Sequence, residues 1–81
     1  RDLARLHVVG LRGDDMTAAD VEQYLAPLDT KKSPYYYTGR LTVAKKYLAD
    51  GDRTTANKWL DVIINDADAP AVISANAQAL R

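Results

Sequence analysis

Laid against itself at an offset of 35 residues, the sequence repeats in character rather than in identity. Val9 falls on Ala44, Val21 on Ala56, Tyr24 on Trp59, Leu25 on Leu60 and Leu28 on Ile63; a second step carries Arg40 to Ala75 and Ala44 to Ala79. A period of this length suits one supersecondary unit. The apolar stripe of a single helix hairpin has nothing to cover it until a neighbouring hairpin packs alongside, so units of this kind stack. The chain is therefore expected to be all-α: about two stacked antiparallel helix hairpins, with a final helix that caps the second or begins a third.

Local patterning agrees with helices. Thirteen alanines and nine leucines against four glycines favour helix, and apolar residues recur at three and four positions rather than two. The first helix is expected from about Asp2 to Leu11, with Leu3, Leu6, Val9 and Gly10 along one stripe and Gly13-Asp14-Asp15 closing it. Thr17 is an N-cap for the second, which turns Val21, Tyr24, Leu25 and Leu28 inward until Pro27 kinks or ends it. Ser33-Pro34 reads as a start signal for a third helix over about 34–49, with Val43, Ala44, Tyr47 and Leu48 inward. Asp50-Gly51-Asp52 breaks it, and Asp52 caps a fourth helix whose inner face is Ala56, Trp59, Leu60, Ile63 and Ile64. Pro70 opens the last helix, carrying Val72, Ile73, Ala75, Ala79 and Leu80. The whole chain, 1–81, forms one domain: a degenerate repeat over 1–33, a better-defined one over 34–69, and the terminal helix over 70–81. Within it Val43, Ala44, Tyr47, Ala56, Leu60 and Ile63 are expected to be buried, with Ala44 and Ala56 letting two helices cross closely.

Composition narrows the functional classes. Eleven basic and eleven acidic residues leave no net charge, so there is no basic face to neutralise phosphates, and a nucleic-acid partner is not expected. The longest apolar runs, such as Val62-Ile63-Ile64, fall far short of the roughly 20 residues that span a bilayer, so no membrane contact by this segment is expected. A chain this small buries only about 63% of its extended-chain surface, which leaves little volume for a deep active site. It begins at Arg1 rather than Met, and is read as a processed or excised piece.

Neither catalysis nor metal binding is signalled. His7 is the lone imidazole and has no acid three or four residues away; Ser33 and Ser74 have no local base and read as a cap and a helix-surface residue. Asp14-Asp15, Asp50-Asp52 and Asp66-Asp68 lack the alternate spacing and distal Glu of a calcium loop, because the only Glu is Glu22. Ten aspartates to one glutamate suit capping, where a short carboxylate reaches nearby backbone N–H groups. No glycine-rich phosphate loop occurs. No catalytic residue, metal ligand or cofactor is assigned.

Binding of a protein or peptide remains. Successive first helices line the concave face of stacked hairpins, and the third helix carries Tyr37, Leu41, Lys45 and Leu48 at helical spacing, with Arg40 beside them. These five are the candidate partner-binding residues: aromatic and aliphatic side chains to hold an extended peptide or a partner helix, and a base to pair a carboxylate. Equally, Leu41 and Leu48 suit packing against the first and last helices. In Tyr35-Tyr36-Tyr37, consecutive helical positions point three ways, which either exposes a ring or staples the loop over 29–33 to the second helix. Trp59 reads as core. An apolar end at Ala75, Ala79 and Leu80 also suits self-association, or a structural segment of a longer repeat protein.

The stretch Tyr47-Leu48-Ala49-Asp50-Gly51-Asp52, with Ala56 and Leu60, resembles the turn and second helix of a tetratricopeptide repeat (TPR). Arg40 stands where that superfamily usually has a large aromatic, Ile63 where it has a small residue, and the first unit has Pro27 in place of the glycine-aspartate turn. Together with Arg1-Asp2-Leu3-Ala4-Arg5-Leu6 and Leu25-Ala26-Pro27-Leu28, the Gly51-Asp52 turn resembles the C-terminal end of the bacterial tetratricopeptide-like family that includes the ancillary subunit of the Sec translocon. That resemblance implies a scaffold or chaperone-network role in the bacterial periplasm, on a parent protein anchored in the inner membrane by an N-terminal helix outside this sequence.

Overall fold

A computed structural model describes residues 2–81. Five α-helices follow in order, α1 (Asp2–Arg12), α2 (Ala18–Leu25), α3 (Tyr36–Ala49), α4 (Arg53–Ile64) and α5 (Ala71–Leu80), with 3-10 turns at Gly13–Asp15 and Ala26–Leu28. No strand occurs among the described residues, and no helix among them is long and apolar enough to cross a membrane. The fold is all-α.

Aspartates set the helix ends. Thr17 and Asp20 form a reciprocal capping box at the start of α2: the Thr17 hydroxyl accepts from the Asp20 N–H, and the Asp20 carboxylate accepts from the Thr17 N–H. At the end of α3, Gly51 takes φ +87°, its N–H donates to Leu48 C=O, and the Asp52 N–H reaches back to Tyr47 C=O. That is a Schellman ending, and its left-handed residue is the one place among the described residues that requires glycine. Asp52 then caps α4 by accepting from the Thr55 N–H at 3.0 Å. Asp50 works at longer range: it accepts from the Ala18 N–H at 2.8 Å, capping α2 from the other hairpin, while Lys46 pairs with its second oxygen at 3.2 Å. The Ala18 hydrogen bond, then Lys46, hold the Asp50 carboxyl below its ordinary range.

The start of α3 differs from the sequence reading, and of the two outcomes expected at Pro27 one is realised. α3 begins at Tyr36, two residues after Pro34, because the Ser33 hydroxyl is engaged elsewhere: it accepts from the Tyr35 N–H and donates to Asp2 in α1 at 2.6 Å. The Ser33-Pro34 pair is thus a turn tied to α1, not a helix cap. Pro27 ends α2 rather than kinking it, the chain tightening into a 3-10 turn closed by the Asp29 N–H on Ala26 C=O.

Two apolar clusters form the core. Val9, Val21, Leu25, Leu28 and Val43 make one; Leu41, Ala44, Leu60, Ile63 and Ala77 make the other, and half-buried Trp59 touches both. The clusters follow the repeat: Val9 and Ala44, Val21 and Ala56, Leu25 and Leu60, Leu28 and Ile63 are all buried, while Tyr24 and Trp59 are both half-buried. Val43, Ala44, Ala56, Leu60 and Ile63 are buried as expected; Tyr47 is only half-buried. The α3–α4 pair has the most extensive contact, followed by α4–α5 and α2–α3. The result is a slab of 31 × 29 × 16 Å.

The outer ends are less covered than the sequence suggests. In α1, Leu6 packs inward beside Val9, whereas Leu3 and Gly10 are exposed. In α5, Ile73, Ala77 and Leu80 face the core, while Val72 is 73% exposed and Ala75 and Ala79 lie outside. α5 has no charged residue to mark its outer face, and its three polar ones, Ser74, Asn76 and Gln78, mark it less sharply.

Gly39 is buried inside α3 against the turn after α2. A Cβ there would meet Leu28 Cβ at 3.6 Å and Leu28 Cδ2 at 3.7 Å, ordinary contact distances. Glycine in a helix interior costs about 0.5–1 kcal/mol relative to alanine. Gly39→Ala is therefore expected to stabilise the fold by about that amount, read as a higher denaturant midpoint at unchanged slope. A lower midpoint would mean that α3 and this turn approach more closely than described.

Candidate partner-binding grooves

Because α3 runs between the other helices, its side chains divide into three faces at spacings of three and four. Tyr36, Arg40 and Val43 face a groove bounded by α2, the turn Ala26–Leu28 and α4. Thr38, Thr42, Lys45 and Ala49 turn the opposite way, toward α1. Leu41, Ala44 and Leu48 pack toward α4 and α5, and Tyr37 lies along the same side.

The first groove has a volume of about 440 Å³ and is lined by Glu22, Leu25, Leu28, Gly39, Arg40 and Trp59, among others. Arg40 is held within it. Its guanidinium lies 4.5 Å from the Tyr36 ring centroid and 5.9 Å from that of Trp59, and its Nε donates to Asp29 at 2.7 Å. Stacking on an aromatic face is worth about 0.5–1 kcal/mol at partly exposed sites, and here it fixes the plane of the guanidinium. Glu22 accepts from the Tyr47 hydroxyl at 2.7 Å. That hydrogen bond, with burial adding, pushes the Tyr47 phenol up to about 12. Beyond Trp59 the surface continues onto a shelf formed with Lys58 and Val62.

The second groove, between α1 and α3, encloses about 420 Å³ and is more open. Leu6, Val9, Gly10 and the methylene stem of Lys45 border it. On the third face the Tyr37 hydroxyl donates to Asp66 at 2.9 Å; burial first, then this bond, pushes its phenol up to about 12. Asp66 is held below the ordinary carboxylate range by the Asp68 N–H and by Tyr37. Lys31 lies 4.0 Å from Asp66 and 3.5 Å from Asp68, so these contacts join the loops that precede α3 and follow α4.

The five candidate residues therefore do not share one surface. Arg40 lies in the first groove, Lys45 borders the second, and Leu41, only 7% exposed, sits in the core with Ala44 and Leu60. Leu48 is half-buried against the same cluster, and Tyr37 is engaged with Asp66. In the tyrosine run, Tyr36 is buried, Tyr35 packs on the first cluster and none of the three is fully exposed. Tyr36 and Tyr37 meet edge to face with centroids 4.9 Å apart. No group of three or more His, Asp or Glu residues among the described residues is placed to hold a metal ion.

Sequence reasoning overlooked Trp59, Glu22, Asp29 and Lys58 as groove residues. A signal for the first was present in the repeat. The same offset that sets Tyr24 on Trp59 sets Arg5 on Arg40, and in the structure the Arg5 guanidinium lies 4.8 Å from the Tyr24 ring centroid. Each unit thus places an arginine from its first helix on an aromatic ring of its second. No protein-family model matches the chain, and no match is found among curated proteins or solved structures.

Proposed function

We propose that the chain is a non-enzymatic protein-interaction module, built on the plan of stacked TPR-like hairpins and binding an extended peptide or partner helix. The observation that carries this reading is the Arg40 groove: a concavity to which both hairpins contribute, with a fixed guanidinium and a half-buried indole at its mouth. Tryptophan and arginine are the side chains over-represented among residues that dominate binding energy at protein interfaces. The resemblance to the periplasmic tetratricopeptide-like family gives such a module its setting: a scaffold in bacterial envelope protein export or assembly, on a membrane-anchored parent.

The test is site-specific photocrosslinking in the native cell, with the probe in place of Lys58 at the groove mouth, in place of Lys45 on the opposite face, and in place of Lys32 in the loop before α3. Discrete adducts from Lys58, identified by mass spectrometry and rebound by the purified chain, are expected. Adducts from Lys45 alone would move the site to the α1–α3 groove, and none from either position would overturn the reading.

A second reading rests on α5. Its ten residues carry no charge, and Val72 stands 73% exposed on its outer face. Such a face suits a structural segment, covered by a further hairpin of a longer repeat protein or by a second copy. Concentration-dependent dimers in sedimentation equilibrium, abolished by Val72→Asp, would favour self-association.

A further inference from the structure

We infer that the Arg40 groove reads an acidic side chain: Arg40 and Lys58, which share a shelf with Trp59, grip one carboxylate of an extended peptide whose neighbouring apolar residue covers Trp59 and Val62. This rests on the interaction-module reading above and specifies its ligand. The argument is one of unsatisfied charge. The two acids that line the groove are both engaged, Asp29 by the Arg40 Nε and Glu22 by the Tyr47 hydroxyl. The Nη groups of Arg40 have no hydrogen-bond partner among the described residues, and the Lys58 ammonium forms no ion pair there. Both acids keep their charge and line the deeper groove, but the shelf formed by Arg40, Lys58, Trp59 and Val62 has no acid in its lining; the charged groups that meet a ligand there are both positive, and their complement is a carboxylate. A guanidinium whose plane is fixed by stacking presents its two Nη donors as a fork, the geometry that binds carboxylate bidentately.

The repeat supplies an internal comparison. In the first unit the equivalent shelf is formed by Arg5, Gln23 and Tyr24, with Met16 and Asp20. There the arginine donates Nη1 to Tyr24 C=O at 2.9 Å, and the position equivalent to Lys58 is the uncharged Gln23. The shelf of the first unit thus includes an acid, Asp20, and no second cation, whereas that of the second unit has Lys58 and no acid. Arg40, its Nε held by Asp29, turns its remaining donors to a shelf that has no acid of its own.

The experiment pans a random dodecapeptide display library on the purified chain. The strongest binder is then synthesised as an acid and amide pair, Glu against Gln or Asp against Asn, and its affinity is read from the fluorescence of Trp59, the only tryptophan. Enriched peptides are expected to share an acidic position beside an apolar one, and the amide peptide to bind about tenfold more weakly. Arg40→Gln should remove most of that difference, Lys58→Gln part of it, and Arg5→Gln none. Peptides that bind equally well as acid and amide, or leave Trp59 unperturbed, would overturn the carboxylate assignment while leaving the module reading intact. A library that yields no binder would overturn both. Should Arg40→Gln lose helical circular dichroism, the acid and amide pair on the unaltered chain and on exposed Lys58→Gln decides the matter alone.

Discussion

Leu60→Ala is expected to destabilise the fold by about 2–5 kcal/mol, the cost of losing the transfer free energy of the removed carbons and leaving a cavity that neighbours fill only partly. Leu60 is fully buried, one of the four largest side chains so placed, and packs with Leu41, Ala44, Ile63 and Ala77. A domain of this length has a total stability on the order of 4–12 kcal/mol, so the loss is a large share of it. The thermal midpoint should fall by roughly 8–40 °C, since about 4–8 °C accompanies each kcal/mol in domains of this size. Leu25→Ala, at the equivalent position of the first unit, should behave alike because Leu25 is also buried. Leu11→Ala makes the contrast: Leu11 is 87% exposed, and its removal should change stability by no more than about 0.5 kcal/mol. Equal effects at Leu60 and Leu11 would show that the inward face of α4 is not the one described.

The features of the fold that the sequence conveyed are those dictated by local chemistry or by the repeat. Asp52 and Thr17 cap helices through their own backbone neighbours, and Gly51 is required wherever a helix closes with a left-handed residue. Burial at Val21, Leu25, Leu60 and Ile63 followed from their matched positions at a fixed offset. What escaped was decided at long range. Ser33 has the chemistry of a cap, but its hydroxyl donates to Asp2, 31 residues away. Asp50 reads as a turn residue yet caps α2 in the other hairpin. α5 offers no charge by which to orient its stripe, and its inward face is set by the surface of α3 and α4 on which it lands.

The site was less legible than the fold for a related reason. Spacing of three and four identifies residues on one side of a helix, but α3 is central and packs on several sides. A surface helix has one solvated face; α3 has no such single face, so Arg40, Leu41, Lys45 and Leu48 distribute among a core cluster and two grooves, while Tyr37 is tied to Asp66. Trp59 read as core because its equivalent positions carry aromatic rings in an apolar stripe. Its second role, as the wall against which Arg40 rests, depends on a side chain from a different helix and is visible only in three dimensions.

Ala44→Leu tests the repeat at a fully buried small residue. Ala44 is fully buried in α3 beside Leu41, Leu60, Ile63 and Ala77. Alanine and leucine are both strong helix formers, so the substitution leaves helix propensity nearly unchanged and reports on packing. Forcing extra carbons into a filled crossing displaces side chains or backbone at a cost of about 1–3 kcal/mol. A fall of roughly 5–20 °C in the thermal midpoint is therefore expected. The comparison that gives this meaning is Ala79→Leu, 35 residues further on, where the matched position is exposed. There the added carbons meet open space, and the change should stay within about 0.5 kcal/mol. One substitution at two equivalent positions then separates the intrinsic effect of the residue from the presence of a neighbouring unit. If Ala44→Leu were as mild as Ala79→Leu, the α3–α4 crossing would be loose, and the burial shared by the two units would not come from stacking.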